Sequence, residues 1–149
     1  MKLFRLTIAG FGSLRGEHRF DPDKLRLVVV DNVCGKSTLL AAIVAALYGL
    51  SDDRRTHRPL TPLERWRPWE GGEFGVELEL ECAGERYTIT RDFERGTVAV
   101  WNGRGQELTA QFLEGRDEHP VGKHLLGLDA EEFEKCAFLR QEELDQVVP

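Results

Sequence analysis

Four consecutive residues, Gly35-Lys36-Ser37-Thr38, carry the chemistry most readily legible in this chain. They stand between an apolar, β-branched run, Leu25–Val30, and an Ala- and Leu-rich stretch from Thr38 to Tyr48. A buried strand running into a loop, and a helix running out of it, is the setting a phosphate-binding loop requires. Successive backbone N–H groups there wrap an anion, and the helix N-terminus adds the positive end of its dipole. Gly35 lets the backbone come close to phosphate, Lys36 reaches toward the β- and γ-phosphates, and the Ser37 hydroxyl is a ligand for Mg²⁺. The loop residues Asn32, Val33 and Cys34, with Thr38 at the helix start, complete the expected nucleotide-binding set. The usual spacing, G-x-x-x-x-G-K-[ST], places a first glycine at residue 30, and this chain has Val30 there. Positive φ is costly for a β-branched residue, so the loop either enters by another path or holds phosphate less tightly. A chance GKS between a strand and a helix is the plain alternative, and both flanks argue against it. Cys34 invites a redox reading, but a small residue filling the loop is the simpler one, because reactivity needs exposure and a lowered pKa.

These residues need a scaffold, and composition bounds it. A chain of 149 residues is one domain or part of one. It is long enough to bury roughly 70% of its unfolded surface. Apolar residues make up 41% and charged residues 31%, with 20 basic against 26 acidic and a net charge of −6. That excludes a strongly basic nucleic-acid module, and it is too mild for a disordered acidic tail. The longest apolar run, Leu39 to Leu50, falls short of the ~20 residues that span a bilayer. The opening MKLFRLTIAGFG has a strand pattern and no signal-peptide core. Cys34, Cys82 and Cys136 are odd in number and lack CxxC pairing, which argues against zinc and against a disulfide framework. A reduced, cytoplasmic protein with no membrane partner is expected.

The elements follow from periodicity. Phe4, Leu6 and Ile8 alternate with Arg5 and Thr7 as in a half-buried strand, and Gly10 and Gly12 end it. Glu17 to Phe20 can pair beside it. Leu25 to Val30 reads as a central buried strand. The helix from Thr38 to Tyr48 is apolar nearly all round, belongs between layers, and stops at Gly49. Residues 51–72, with three prolines, two tryptophans and dense charge, read as a surface insertion. Residues 73–102 read as an antiparallel meander: Phe74, Val76, Leu78 and Leu80 alternate with Gly75, Glu77, Glu79 and Glu81. Ala83-Gly84 turns into Arg86–Asp92, and Thr97–Trp101 follows before Asn102-Gly103. From 120 to 149 the pattern is helical, with a short helix over Val121–Leu126. Asp129, with Glu132 three residues on, opens a second helix through Cys136. The predicted class is α/β.

The opening FRLTIAGFGSLRGEHRFD, the run LRLVVV, the segment GKSTLLAAI and the helix end ALYGL resemble the N-terminal head of long coiled-coil ATPases. These are the SMC/SbcC-like proteins of the ABC ATPase superfamily, and YhaN-type AAA proteins look most alike. Their heads carry a similar PW…GG-FG stretch, here Pro68-Trp69, Gly71-Gly72 and Phe74-Gly75, and a strand similar to RYTITRDF. The resemblance covers nearly the whole chain, with GKST and FLRQEEL its most specific parts. It implies an ABC-type P-loop NTPase N-terminal lobe with an added antiparallel β-meander. Gln141, in Phe138-Leu139-Arg140-Gln141, matches the family's Q-loop residue, which implies that it helps hold Mg²⁺ and senses the γ-phosphate. Family loops read like GPNEAGKST, with which Asn32 and the final segment agree. Ser13 matches a serine that approaches the nucleotide after the first strand.

The resemblance also implies what lies elsewhere. No LSGG-like signature, no hydrophobic strand ending in Asp-Glu and no heptads follow the loop. In the family these parts lie beyond a coiled coil, so the chain is expected to be one half of an ATPase head. Implied partners are the C-terminal lobe of the same protein and a second head clamped by ATP, with DNA and a nuclease subunit further on. The alternative is a non-catalytic interaction module with a degenerate phosphate loop. A GTPase is disfavoured, since neither DxxG nor NKxD occurs. The basic cluster Arg54, Arg55, His57, Arg58, Arg65 and Arg67 could meet phosphates, but interleaved acids make a solvated surface the simpler reading. Trp66 and Trp69 could stack on bases, though anchoring a proline-rich segment is the more economical role.

Overall fold

Alternation at the N-terminus produces β1, Lys2–Phe11, whose Leu6 and Ile8 are buried while Ala9 is exposed. The computed structural model describes residues 1–20, 33–51, 60–115 and 118–137, with the backbone alone described at 33–37 and 136–137. After β1 come β2, Leu14–Arg19, and the helices α1, Val33–Tyr48, and α2, Pro62–Trp66. The meander consists of β3, Gly75–Cys82, β4, Glu85–Asp92, and β5, Thr97–Asn102. A 3₁₀ turn at Thr109–Phe112 precedes α3, Val121–Leu126, and α4, Ala130–Ala137. Among the described residues this is an α/β arrangement on one five-stranded sheet, ordered β2-β1-β3-β4-β5 with every pairing antiparallel. The strand expected at Leu25–Val30 lies outside the described residues.

The meander is not a separate sheet. β3 pairs with β1, matching Leu6 to Leu78 and Ile8 to Val76, so both strands turn their apolar residues to the same side. Two bulges disturb β1, between Leu3 and Arg5 and between Ile8 and Gly10. The first corrects the expectation for Phe4. The extra residue shifts the parity, Leu3 packs against the core, and Phe4 lies under the Arg86 guanidinium, 3.7 Å from its ring centroid. At the second, Gly10 is buried where any Cβ would collide with the Glu73 carbonyl oxygen.

The core lies between the sheet and α1. Ala42, Ala45 and Ala46 let the helix approach the strands closely, and Leu39, Ile43 and Leu47 fill the space toward Leu78, Leu80, Ile89 and Val100. At one end Phe11, Phe74 and Phe93 pack with ring centroids 5.0–6.2 Å apart, and Trp66 stacks on Phe11 at 5.2 Å. Beyond α1 lie α3 and α4, where Tyr48 meets Phe133 at 5.8 Å and its hydroxyl donates to the Leu128 carbonyl at 2.7 Å. Gly49 ends α1 with φ +81°, and its N–H donates to Ala45 at 2.8 Å. Among the described residues the helix already runs from Val33, ahead of the Thr38 that the sequence suggested. No proline interrupts 33–38, and one glycine costs only ~1 kcal/mol in a helix that adds a bond with each further residue.

Turn chemistry follows local rules. Ala83 and Gly84 have φ +52° and +79°, the two left-handed residues of a tight hairpin turn. The Asn102 side-chain oxygen accepts from the N–H groups of Arg104 and Gln106, closing the turn after β5. Asp129 and Glu132 form the reciprocal cap of α4, with the Asp129 oxygen accepting from the Glu132 N–H at 2.8 Å.

Candidate functional site

The GKST segment occupies the head of α1. Gly35, Lys36 and Ser37 fall in its first turns, and Thr38 is buried, 6% exposed. The leading N–H groups of a helix lack intrahelical acceptors, and Gly35, Lys36 and Ser37 lie within the first five described residues of α1. No acidic side chain occupies the first turn, so nothing of α1's own competes for those donors or opposes the dipole.

One neighbour arrives from the sheet. Gly12, φ +58°, turns β1 into β2 and places Ser13 on the surface. The Gly12 N–H donates to the Trp66 carbonyl at 2.6 Å. A Cβ at Gly12 would lie 3.2 Å from Thr38 Cγ2 and 3.4 Å from the Trp66 ring. The turn bearing Ser13, the end of α2 and the buried Thr38 therefore share one corner. The fold brings Ser13's turn to the GKST helix across a sequence distance that local patterning does not reveal. Asn32 and Gln141 lie outside the described residues, as do Val30, Arg54, Arg55, His57 and Arg58.

The two tryptophans separate. Trp66 is half-buried on Phe11, with the Arg65 guanidinium 4.9 Å from its ring centroid. Trp69 is 94% exposed, so it does not anchor the segment to the core. The anchoring is done by Trp66 and by buried Pro68. Arg67 pairs with Glu94 and lies over Phe74, a surface contact and not a free cation. Cys82 is a free thiol donating to the Leu125 carbonyl at 3.4 Å. Among the described residues no cluster of His, Cys, Asp and Glu could hold a metal ion, and no helix is long and apolar enough to cross a membrane.

A groove of about 560 Å³ opens on the opposite face of the sheet, over Thr7, Ala9, Glu77, Thr90, Asp92 and Arg95. Its charges pair with one another or nearby, Asp92 with Arg95 at 3.8 Å and Glu77 with Arg5 at 3.7 Å. It lies across the sheet from Thr38 and offers that residue no chemistry.

One buried cation was not singled out from the sequence. Arg91, 8% exposed, donates from Nε to the Ala46 carbonyl at 2.7 Å and from Nη2 to the His119 carbonyl at 2.6 Å. Desolvation lowers its pKa to about 10, which still leaves it charged at neutral pH. The available signal was parity: along β4 Arg91 falls between Ile89 and Phe93, the buried positions.

A family of AAA domains matches residues 5–147, which includes the GKST helix, the Ser13 turn and the whole sheet beyond Phe4. The chain belongs to that family. The AAA domain is also 25% identical, over 99% of its length, to a protein of Thermoplasma volcanium described as the DNA double-strand break repair Rad50 ATPase. It spans 16% of that relative's length. Family and relative together bear out the resemblance to the N-terminal head of SMC/Rad50-like ABC ATPases.

Proposed function

We propose that this AAA domain is the ATP-binding N-terminal lobe of a coiled-coil DNA-repair ATPase, completed for hydrolysis by a C-terminal lobe of the same protein. The observation that carries the reading is the GKST segment in the first turns of α1, where helix N–H groups point along the axis and α1 itself has no acidic residue. An anion fits that place by charge and by donor set. The P-loop would be 30–37, with Lys36 on the β- and γ-phosphates, and Asn32, Val33, Cys34, Gly35, Thr38 and Ser13 around the nucleotide. Ser37 and Gln141 would hold Mg²⁺, which neutralises charge on the phosphates. From the resemblance to coiled-coil ATPase heads we infer a second head, DNA and a nuclease subunit as further partners, and the relative's description as a DNA double-strand break repair ATPase supports the DNA-repair setting.

Titration of the chain with fluorescent ATP and Mg²⁺ tests the reading. Binding is expected, weakened at least tenfold by Lys36→Ala and tightened by Val30→Gly. Lack of binding at millimolar nucleotide, with no effect of phosphate on melting temperature, would refute it. That result would leave the other reading, a non-catalytic interaction module with a degenerate loop, which Val30 at the first glycine position favours.

A further inference from the structure

Arg91 is a buried guanidinium with no carboxylate partner among the described residues. Its partners are main-chain carbonyls, Ala46 at 2.7 Å, Leu47 at 3.3 Å and His119 at 2.6 Å. Two of these belong to the last turn of α1, where carbonyls lack intrahelical donors and the dipole is negative. The third precedes Pro120 and α3. Burying a charge in this way is costly, and an apolar side chain would fill the same inward position of β4 more cheaply. A guanidinium does what an apolar residue cannot: its fork joins two chain segments to the sheet at once.

The surroundings make that joint stiff. Gly49 packs under the guanidinium, where a Cβ would lie 3.1 Å from Nη1. Tyr48, the last residue of α1, packs on Gly122 of α3, where a Cβ would lie 2.5 Å from its ring. The Tyr48 hydroxyl is bonded to Leu128, and its ring meets Phe133 of α4. The foot of α1 and the α3–α4 segment therefore form one block, and Arg91 fastens the block to β4. The head of the same helix carries GKST. A helix of this length spans ~24 Å at 1.5 Å per residue, and it transmits an axial shift without bending much.

We propose that Arg91 is a positioning residue that sets α1 along its axis and couples the anion site at its head to the segment 119–137. This rests on the nucleotide-binding reading above. When phosphate is held at the head of α1, the helix is fixed, and the carbonyls of Ala46, Leu47 and His119 are held together by one cation. Residues 121–126 then tighten with the loop, although they touch no nucleotide.

Hydrogen exchange on the chain with and without Mg²⁺-ATP tests this. In the unsubstituted protein, nucleotide should slow exchange at 33–38 and, by at least about threefold, at 121–126. Arg91→Lys keeps the charge but cannot bridge all three carbonyls. It should retain protection at 33–38 and lose it at 121–126, and Arg91→Met should do the same where it folds. Val100→Ala, a destabilising core change elsewhere, should keep both. Protection at 33–38 alone in the unsubstituted protein would overturn the coupling, as would protection at 121–126 undiminished in Arg91→Lys or equally lost in Val100→Ala. No protection at 33–38 in the unsubstituted protein would overturn the nucleotide reading itself, and the coupling with it.

Discussion

Gly10 shows how much one missing methyl group decides. It is buried at a bulge, and the Glu73 backbone occupies the space a side chain would need. Backbone cannot rotate away as a flexible side chain can, so Gly10→Ala must push β1 from the Glu73 loop. The expected loss is about 1–3 kcal/mol, read from urea unfolding. A neutral Gly10→Ala would mean that the loop yields freely. Tyr48 makes a different kind of contribution. Burial, then the nearby Asp129 and Glu132 carboxylates, push its phenol up to about 12. An unfolded tyrosine ionises near ~10, so the fold favours the neutral phenol. This stabilisation is whole below about pH 10 and is lost as pH rises toward 12. The urea midpoint should therefore fall more steeply between about pH 10 and 12 for the unsubstituted protein than for Tyr48→Phe. Parallel falls would show that burial of the Tyr48 phenol contributes no pH dependence.

Among the elements, α2 is short and depends on its cap. The Thr61 hydroxyl accepts from the Glu64 N–H at 3.2 Å, and the Glu64 carboxylate accepts from the Thr61 N–H at 3.2 Å. The reciprocal pair fixes a helix of five residues whose end delivers Trp66 onto Phe11. Thr61→Ala should cost about 1 kcal/mol in denaturant unfolding and weaken the Trp66 fluorescence signature of the folded state. An unchanged midpoint would place the stability of α2 in its aromatic contact alone. Such devices are legible because they are local. The turn at Ala83-Gly84, the stop at Gly49 and the cap of α4 can each be read from a few neighbouring residues. The alternation of β3 was legible for the same reason. The bulge at Phe4 was not, because it is set by register against a strand some seventy residues away. That α1 already includes GKST was hidden because this segment is compatible with both loop and helix. Arg91 could have been found from its parity, but its partners Ala46 and His119 could not, since no spacing in the chain relates them. The corner that joins Ser13 to Thr38 is likewise a product of packing.

At the scale of the whole molecule, among the described residues α1 covers one face of the five-stranded sheet, α3 and α4 pack against α1, and the GKST helix meets the β1–β2 turn at one corner. Hydrolysis of a phosphoanhydride asks more of such a corner than anion binding. The attacking water must be oriented, and charge developing on the transferred group must be met by fixed donors. In the proposed site this chain would supply Lys36, Ser37 and Gln141 for phosphate and metal. Among the described residues no strand after the GKST segment ends in an acidic pair able to orient water, and the sequence has no LSGG-like segment to cover the γ-phosphate from a facing head. Gly71-Gly72 is no substitute, because it leads into β3 and its amides do not open a helix. Residues 1–149 alone should therefore bind nucleotide and turn it over negligibly. Mixing them with the C-terminal lobe of the same protein should generate Mg²⁺-dependent ATPase activity, saturable in either lobe. Gln141→Ala should lower that activity at least tenfold while leaving nucleotide binding to the isolated chain within a few-fold. Robust turnover by residues 1–149 alone, surviving further purification and abolished by Lys36→Ala, would show that the chain is a complete enzyme and that its catalytic base lies within residues assigned here to other roles.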